Sequence, residues 1–110
     1  MKKNMIGIIG CGNWGKNIAR NLFELGVLKK IVDVDISFSK IMNFDQSLIS
    51  KNLNDILNDP EITCVVISTP AITHKEFAIK SLKNNKHIFV EKPFCLSTQD
   101  AKQIINEANR

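Results

Sequence analysis

The hydrophobic pattern along the chain alternates between two periods. Short runs in which nearly every residue is apolar are typical of strands buried on both faces of a parallel sheet. Between these runs, apolar residues recur every three or four positions, as they do on one face of a helix. The pattern predicts strands at Met5–Ile9, Leu28–Val34, Ile62–Ser68 and His87–Val90, and a brief edge strand at Ser47–Ser50.

Helices are predicted in the intervening segments. The first has Ile18, Leu22 and Leu25 at helical spacing and ends before Gly26, a usual residue at that position. Capping boxes at Thr73-x-x-Glu76 and Ser97-x-x-Asp100 predict the starts of the last two. The predicted helices are Asn13–Leu25, Asp35–Phe44 with Ile36, Ile41 and Phe44 in the core, a short helix from Asn52 to Asp59-Pro60, one from Thr73 to Leu82, and one from Ser97 to near Arg110.

The alternation of strands and helices predicts the fold class. Strands separated by helices form a parallel sheet with right-handed crossovers, so we expect an α/β, doubly wound sheet with helices on both faces. A chain of 110 residues accommodates one such domain. In this class, ligands bind across the carboxyl ends of the strands, where the strand order reverses.

Composition and charge change this picture little. The net charge is +4, but the lysines are predicted to lie scattered on solvated helix faces, and no aromatic platform accompanies them, so no nucleic-acid partner is expected. Three cysteines without a C-x-x-C pair predict reduced thiols in a cytoplasmic protein and no metal site. No apolar run approaches membrane-spanning length, and Met1-Lys2-Lys3 is followed by a predicted strand rather than a signal sequence. The lysines predicted to lie on solvated helix faces are Lys29, Lys30, Lys75, Lys80, Lys83, Lys86 and Lys102.

The segment Gly10-Cys11-Gly12-Asn13-Trp14-Gly15 follows the pattern G-x-G-x-x-G between the first strand and the first helix. Gly10 permits a sharp turn, Gly12 lets a pyrophosphate approach the backbone, and Gly15 lets the helix pack closely on the sheet. The helix beginning at Asn13 and Trp14 directs unpaired N–H groups and the positive end of its dipole towards the phosphates. The sequence therefore predicts a dinucleotide-binding site of Rossmann type.

An acidic residue follows at the expected distance. Asp33 comes 18 residues after Gly15, near the position of the acid that binds the adenine ribose of NAD. A carboxylate there accepts hydrogen bonds from the ribose hydroxyls and repels the 2′-phosphate of NADP. NAD is therefore the expected cofactor and NADP the less favoured one. Asp35 is the alternative ribose ligand, and either acid could instead cap the next helix.

Three further segments carry a resemblance to a known family. Ser68-Thr69-Pro70, Thr73-His74 and Val90-Glu91-Lys92-Pro93 follow the glycine motif in order and at suitable distances. Together they resemble the Gfo/Idh/MocA oxidoreductases over nearly the whole chain. Within that family, Trp14-Gly15-Lys16-Asn17 is most similar to dehydrogenases that oxidise the C3 hydroxyl of a UDP-linked N-acetylhexosamine or its uronic acid.

The resemblance implies roles for these residues. Lys92 would be the catalytic residue, with an ammonium that stabilises the developing alkoxide while hydride leaves for the nicotinamide. Glu91 would orient Lys92 and contact the cofactor, and Pro93 would fix the turn, with a cis peptide bond allowed. The cofactor would also contact Ser68, Thr69, Pro70 and His74, the last being either a cofactor-side residue or a structural one at a helix start.

Family members continue into a second α/β domain that binds the sugar and forms the oligomer interface. Residues 1–110 are thus expected to be a truncated NAD-binding Rossmann domain of a homo-oligomeric parent enzyme acting on a sugar or nucleotide-sugar hydroxyl. Alone, they are expected to bind the cofactor without turnover. The alternative is a stand-alone nucleotide-binding module that acts through a partner chain.

Overall fold

Five parallel strands form one sheet with helices on both faces. The computed structural model describes residues 5–10, 13–33 and 46–110. The elements are β1 (Met5–Ile9), α1 (Asn13–Glu24), β2 (Leu28–Val32), β3 (Ile49–Ser50), α2 (Asn54–Leu57), β4 (Ile62–Ile67), α3 (His74–Lys83), β5 (His87–Val90) and α4 (Thr98–Ala108), with 3-10 helices at Gln46–Leu48 and Ala71–Thr73. The strand order in the sheet is β3-β2-β1-β4-β5, so successive strands are added on one side of β1 up to β3 and on its other side from β4.

The sheet separates two hydrophobic clusters. One contains Ala19 of α1, with Ile18 and Leu22 packed beside it, against Ile8 and Ile31 of the sheet. The other brings residues of α2, α3 and α4 against the opposite face, and contains Ile9, Val32, Ile56, Leu57, Ile62, Val65, Ile67, Ala78 and Ile104. Alternate residues of β1 and β4 therefore face opposite clusters, as expected of central strands. The doubly wound α/β prediction is confirmed.

Most predicted boundaries on the described residues agree with the structure within two residues, but three details of the predicted elements differ. Leu25, predicted as the last residue of the helix, lies just beyond the end of α1 and is 71% exposed, so it does not pack beside Ile18 and Leu22. The capping box at Thr73 is also wrong, because its side chain makes no cap hydrogen bond. In contrast, Ser97 accepts from the Asp100 N–H at 3.0 Å, as a cap should. The third difference concerns the edge strand, which begins at Ile49 after a 3-10 turn. The predicted helix Asp35–Phe44 and residue Val34 lie outside the described residues.

Three of the lysines assigned to solvated helix faces have other positions, and one of them, Lys30, lies in β2 and donates to the carbonyl oxygen of Ser47 at 2.8 Å. Lys86 lies in the turn between α3 and β5 and is 6% exposed. Its Nζ donates to the carbonyl oxygens of Asp59 and Ile62 at 2.6 and 2.7 Å, and burial lowers its pKa against the opposing charge of Asp59. Lys29 lies in β2, where it pairs with Asp59 at 2.8 Å and with Glu61. These lysines tie the loops at the edge of the sheet opposite the strands' carboxyl ends.

Candidate cofactor site

The turns that follow the central strands form a row along the carboxyl edge of the sheet. Backbone hydrogen bonds join neighbouring turns, from Gly10 N to Val32 O and from Ser68 N to Ile9 O, both at 2.8 Å. A third bond runs from Glu91 N to Ile67 O at 3.2 Å. Since neighbouring strands lie about 4.8 Å apart, the row from the end of β2 to the end of β5 extends about 14 Å. The structure thus brings the predicted chemistry to one edge.

Gly10 occupies the point where the strand order reverses, and only glycine fits it well. Its φ is +90°, in the left-handed region. A β-carbon there would lie 2.7 Å from both the carbonyl oxygen of Ser68 and Cγ2 of Thr69. This turn therefore brings the end of β1 directly against the end of β4.

Gly15 allows α1 to start close to the same turn. A β-carbon on Gly15 would lie 2.7 Å from the carbonyl oxygen of Gly10 and 3.0 Å from Oγ of Ser68. The expected close packing of helix on strand is therefore present. Gly12 and Cys11 lie outside the described residues, as do the side chains of Asn13 and Trp14, although α1 begins at Asn13 as predicted.

A cavity of about 390 Å³ opens beside the row of turns. Asp33 is part of its lining, directly after β2, and its backbone N–H donates to Ser50 O at 3.0 Å. The lining is mainly apolar, with hydroxyl groups on one side, which suits a planar ring joined to a polar sugar. It consists of Ile9, Gly10, Val32, Asp33, Lys51, Leu53, Ser68, Thr69, Pro70, Thr73 and Phe77. Asp35, the alternative ribose ligand, lies outside the described residues.

The wall formed by the segment after β4 is held by two threonine hydroxyls. Oγ1 of Thr73 lies 2.6 Å from Oγ1 of Thr69 and 2.6 Å from the carbonyl oxygen of Pro70. The carbonyl oxygen of Pro70 can only accept a hydrogen bond, so the Thr73 hydroxyl donates to it and accepts from the Thr69 hydroxyl. The oxygen of Thr69 can then accept a hydrogen bond from a ligand in the cavity. Thr73 therefore organises the cavity wall instead of capping α3.

His74 lies behind this wall, since its side chain is 1% exposed. Nε2 is 2.8 Å from the carbonyl oxygen of Thr69, and Nδ1 is 2.7 Å from the carbonyl oxygen of Pro93. Both ring nitrogens therefore face backbone oxygens, which places the ring in a structural position at the start of α3. The contact of His74 with a cofactor stays a prediction.

Glu91 and Lys92 line a second cleft, which lies on the other side of the row of turns. This cleft has a volume of about 510 Å³ and is shared with Ile18 of α1 and with Phe89 and Val90 of β5. Lys92 is exposed, and its peptide bond to Pro93 is cis, as the resemblance allows. The strands thus present Asp33 and Lys92 at opposite ends of one edge. Lys92 is available to a ligand that lies across the edge.

The sequence did not assign six residues of the first cavity's lining to the site: Ile9, Val32, Lys51, Leu53, Thr73 and Phe77. Lys51, Leu53 and Phe77 belong to no predicted motif. Phe77 lies one helical turn after Thr73, so its spacing along α3 offered a signal. Lys51 and Leu53 lie in the connection between β3 and α2, where no sequence pattern indicates a ligand contact. Among the described residues, no group of three or more His, Cys, Asp or Glu side chains is placed to hold a metal ion. Within the same part of the chain, no helix is long and apolar enough to cross a bilayer.

Fold, glycine turn and cavity together define a Rossmann-type NAD-binding domain. The sequence model of the Gfo/Idh/MocA oxidoreductases, described as an oxidoreductase family with an NAD-binding Rossmann fold, matches residues 5–110. The chain belongs to this family.

Individual relatives agree with the assignment. The 2,7-anhydro-N-acetylneuraminate hydratase of Escherichia coli (strain K12) is 31% identical over 101 residues, covering 90% of this chain and 27% of that protein. The myo-inositol 2-dehydrogenase of Thermotoga maritima is 28% identical over 109 residues, covering 96% and 33%. The crystal structure of GenD2 from gentamicin A biosynthesis in complex with NAD superposes with a TM-score of 0.84 at 25% identity, covering 99% of this chain and 32% of that one. The chain thus spans about a third of the length of these relatives.

Proposed function

We propose that the carboxyl edge of the sheet binds NAD, with the adenosine half in the cavity beside Asp33 and the nicotinamide half towards Lys92. The observation that carries the proposal is the row of hydrogen-bonded turns at the point of strand reversal, closed by Gly10. Its length of about 14 Å gives room for an extended ligand between the two clefts. The start of α1 faces the middle of this row, where its dipole stabilises phosphate charge.

The position of Asp33 supports a preference for binding NAD over NADP. Its carboxylate follows β2 directly and lines the cavity, where it can accept hydrogen bonds from ribose hydroxyls. A phosphate on the 2′ position would bring like charge against this carboxylate. Lys51 lines the same cavity and offsets part of that repulsion, so the preference rests on which of the two side chains lies nearer the ribose.

Lys92 is the proposed catalytic residue. NAD supplies the hydride acceptor. Lys92 donates a hydrogen bond to the reacting hydroxyl oxygen and stabilises the negative charge that develops on it. Glu91 precedes Lys92 and lines the same second cleft, where it is proposed to orient the lysine side chain.

The proposed substrate is a hydroxyl of a sugar or nucleotide sugar. The names of two relatives, a myo-inositol dehydrogenase and a hydratase of an N-acetylneuraminate derivative, refer to polyhydroxylated rings. The hydratase also shows that a relative's reaction need not be a net oxidation. Free Cys64 and Cys95 are compatible with a reducing, cytoplasmic location.

These 110 residues alone are proposed to bind NAD without appreciable turnover. Holding two reactants in productive geometry contributes roughly 7–11 kcal/mol, and Lys92 is exposed with no described wall opposite it to hold a sugar. The alternative is a nucleotide-binding module that acts through a partner chain. The exposure of Lys92 favours this alternative equally, so a turnover assay of the 110 residues with and without a supplied substrate domain separates the two.

Calorimetric titration with NAD and NADP, combined with an NADH-formation assay, tests the proposal. We expect binding of NAD, weaker binding of NADP, and no NADH from the 110 residues with myo-inositol or UDP-N-acetylglucosamine. Lys92→Met should retain NAD affinity. A chain that binds neither dinucleotide would refute the proposed cofactor site, and NADH formation at an ordinary enzymatic rate would refute the binding-only role.

A further inference from the structure

His74 joins two chain segments that carry different parts of the proposed site. Thr69 belongs to the wall of the first cavity, and Pro93 directly follows Lys92. The ring lies between their carbonyl oxygens, at 2.8 and 2.7 Å. Carbonyl oxygens only accept, so both contacts are hydrogen bonds when both ring nitrogens carry a proton. At 1% exposure, no water competes for either contact.

The helix that carries His74 is itself fixed in the core. Ala78 and Ser81 of α3 are fully buried, and Ala78 belongs to the hydrophobic cluster beneath the sheet. His74 is the first residue of this helix, so its ring has a rigid base. The loops that contain Thr69 and Pro93 are thus both held by contacts with one rigidly placed side chain.

We propose that His74 is the positioning residue that sets the distance between the cavity wall at Thr69 and the amine of Lys92. The inference rests on the proposed cofactor site, since it assigns to His74 the coupling of that site's two ends. His74 touches neither cofactor nor substrate; it acts through the carbonyl oxygen of Pro93 on Lys92 and through that of Thr69 on the cavity. Loss of the Pro93 bond releases Lys92, and loss of the Thr69 bond releases the cavity wall.

Two substitutions separate the two bonds. The amide nitrogen of asparagine is the same number of bonds from Cβ as Nδ1, and that of glutamine the same number as Nε2. His74→Asn therefore retains a donor towards Pro93, and His74→Gln retains one towards Thr69. His74→Phe keeps a ring but removes both bonds.

The measurement is the rate at which acetic anhydride acetylates Lys92, followed by peptide mass spectrometry. The rate is compared with and without saturating NAD, and exposed Lys102 of α4 serves as the internal reference. In the unmodified protein, NAD should slow acetylation of Lys92 about tenfold relative to Lys102, equivalent to about 1.4 kcal/mol. His74→Asn should keep this protection while NAD affinity falls. His74→Gln should retain affinity within about threefold and lose most of the protection, and His74→Phe should lose both.

The outcomes distinguish the inference from the proposed function. If the unmodified protein binds no NAD, the cofactor site itself is wrong. If it binds NAD and protects Lys92, and all three variants protect equally, the site stands and the positioning role is wrong. If the variants do not fold, hydrogen-bond scalar couplings in the unmodified protein decide. Couplings from Nδ1 to the Pro93 carbonyl and from Nε2 to the Thr69 carbonyl support the role, and a ring nitrogen that carries no proton overturns it.

Discussion

A β-carbon on Gly10 would lie 2.7 Å from the carbonyl oxygen of Ser68. Gly10 also has a φ of +90°, which costs an alanine about 1–2 kcal/mol before any contact is counted. Gly10→Ala should therefore lower the free energy of unfolding by about 2 kcal/mol or more and weaken NAD binding, because the turn must move away from β4. Urea unfolding and calorimetry measure the two effects.

Gly26→Ala is the matched control for this change. Gly26 has a φ of +75° but follows α1 at the opposite edge of the sheet. Its substitution should cost about 1–2 kcal/mol of stability and leave the NAD affinity of the folded protein unchanged. Equal losses of affinity in both variants would show that Gly10 acts through stability alone.

Asp33→Asn should reduce the preference for NAD. The amide still accepts one hydrogen bond from a ribose hydroxyl but no longer repels a 2′-phosphate. We expect NAD affinity to fall about tenfold and NADP affinity to fall less or to rise. Asp35→Asn is the comparison, measured by the same titrations. A larger effect at Asp35 than at Asp33 would assign the ribose to Asp35.

Much of this site could be predicted from local sequence, because its parts are turns at strand ends. Gly10, Asp33, Ser68 and Lys92 each follow an apolar run, and parallel strands bring those ends to one edge. His74 was harder, since a histidine at a helix start gives no sign that its ring reaches a carbonyl oxygen 19 residues away. Burial of Lys86 was missed for the same reason, because its two acceptors lie 24 and 27 residues distant.

Lys86→Met should destabilise the fold although methionine is apolar and of similar length. The buried ammonium donates to two carbonyl oxygens, of Asp59 and Ile62, and methionine leaves both without these donors. The carbonyl oxygen of Asp59 keeps the Ile62 N–H at 3.2 Å, so the main loss is at the buried Ile62 oxygen, where an unpaired acceptor costs about 1–3 kcal/mol. Urea unfolding should show a loss in that range, against less than about 0.5 kcal/mol for exposed Lys83→Met. Equal stabilities would mean that water replaces the ammonium.

The Lys29–Asp59 pair gives a pH dependence with a definite sign. Burial alone would raise the pKa of Asp59, but hydrogen bonds from Lys29 and the Glu61 N–H hold it below its ordinary value of 3.8. A lowered carboxyl pKa stabilises the fold above pH 3.8, and this stability is lost as the pH falls through the folded-state pKa. Asp59→Asn should thus cost about 0.5–1 kcal/mol at pH 7 and progressively less below pH 3.8.

Glu76→Gln serves as the comparison for the acidic limb, because Glu76 pairs with Lys80 on an exposed helix face. The substitution should lower the free energy of unfolding by about 0.3–0.5 kcal/mol or less, as for other exposed helix pairs.

At alkaline pH, hydrogen bonds to Asp59 and then Glu61 raise the pKa of Lys29 above 10.5. Stability from Lys29 is complete below pH 10.5 and is lost above its folded-state pKa. A loss in Asp59→Asn that does not change with pH would contradict the ion-pair account.

The central claim is that NAD lies along the carboxyl edge of the sheet, from Asp33 to Lys92. Titration of NAD into ¹⁵N-labelled protein, followed by amide NMR shifts, tests it most directly. The largest shifts should occur at Gly10, Asp33, Thr69 and Lys92, with Lys86 and Glu61 at the opposite edge unchanged. Saturable shifts confined to that opposite edge, or none at NAD concentrations that shift a known dinucleotide-binding domain, would contradict the account.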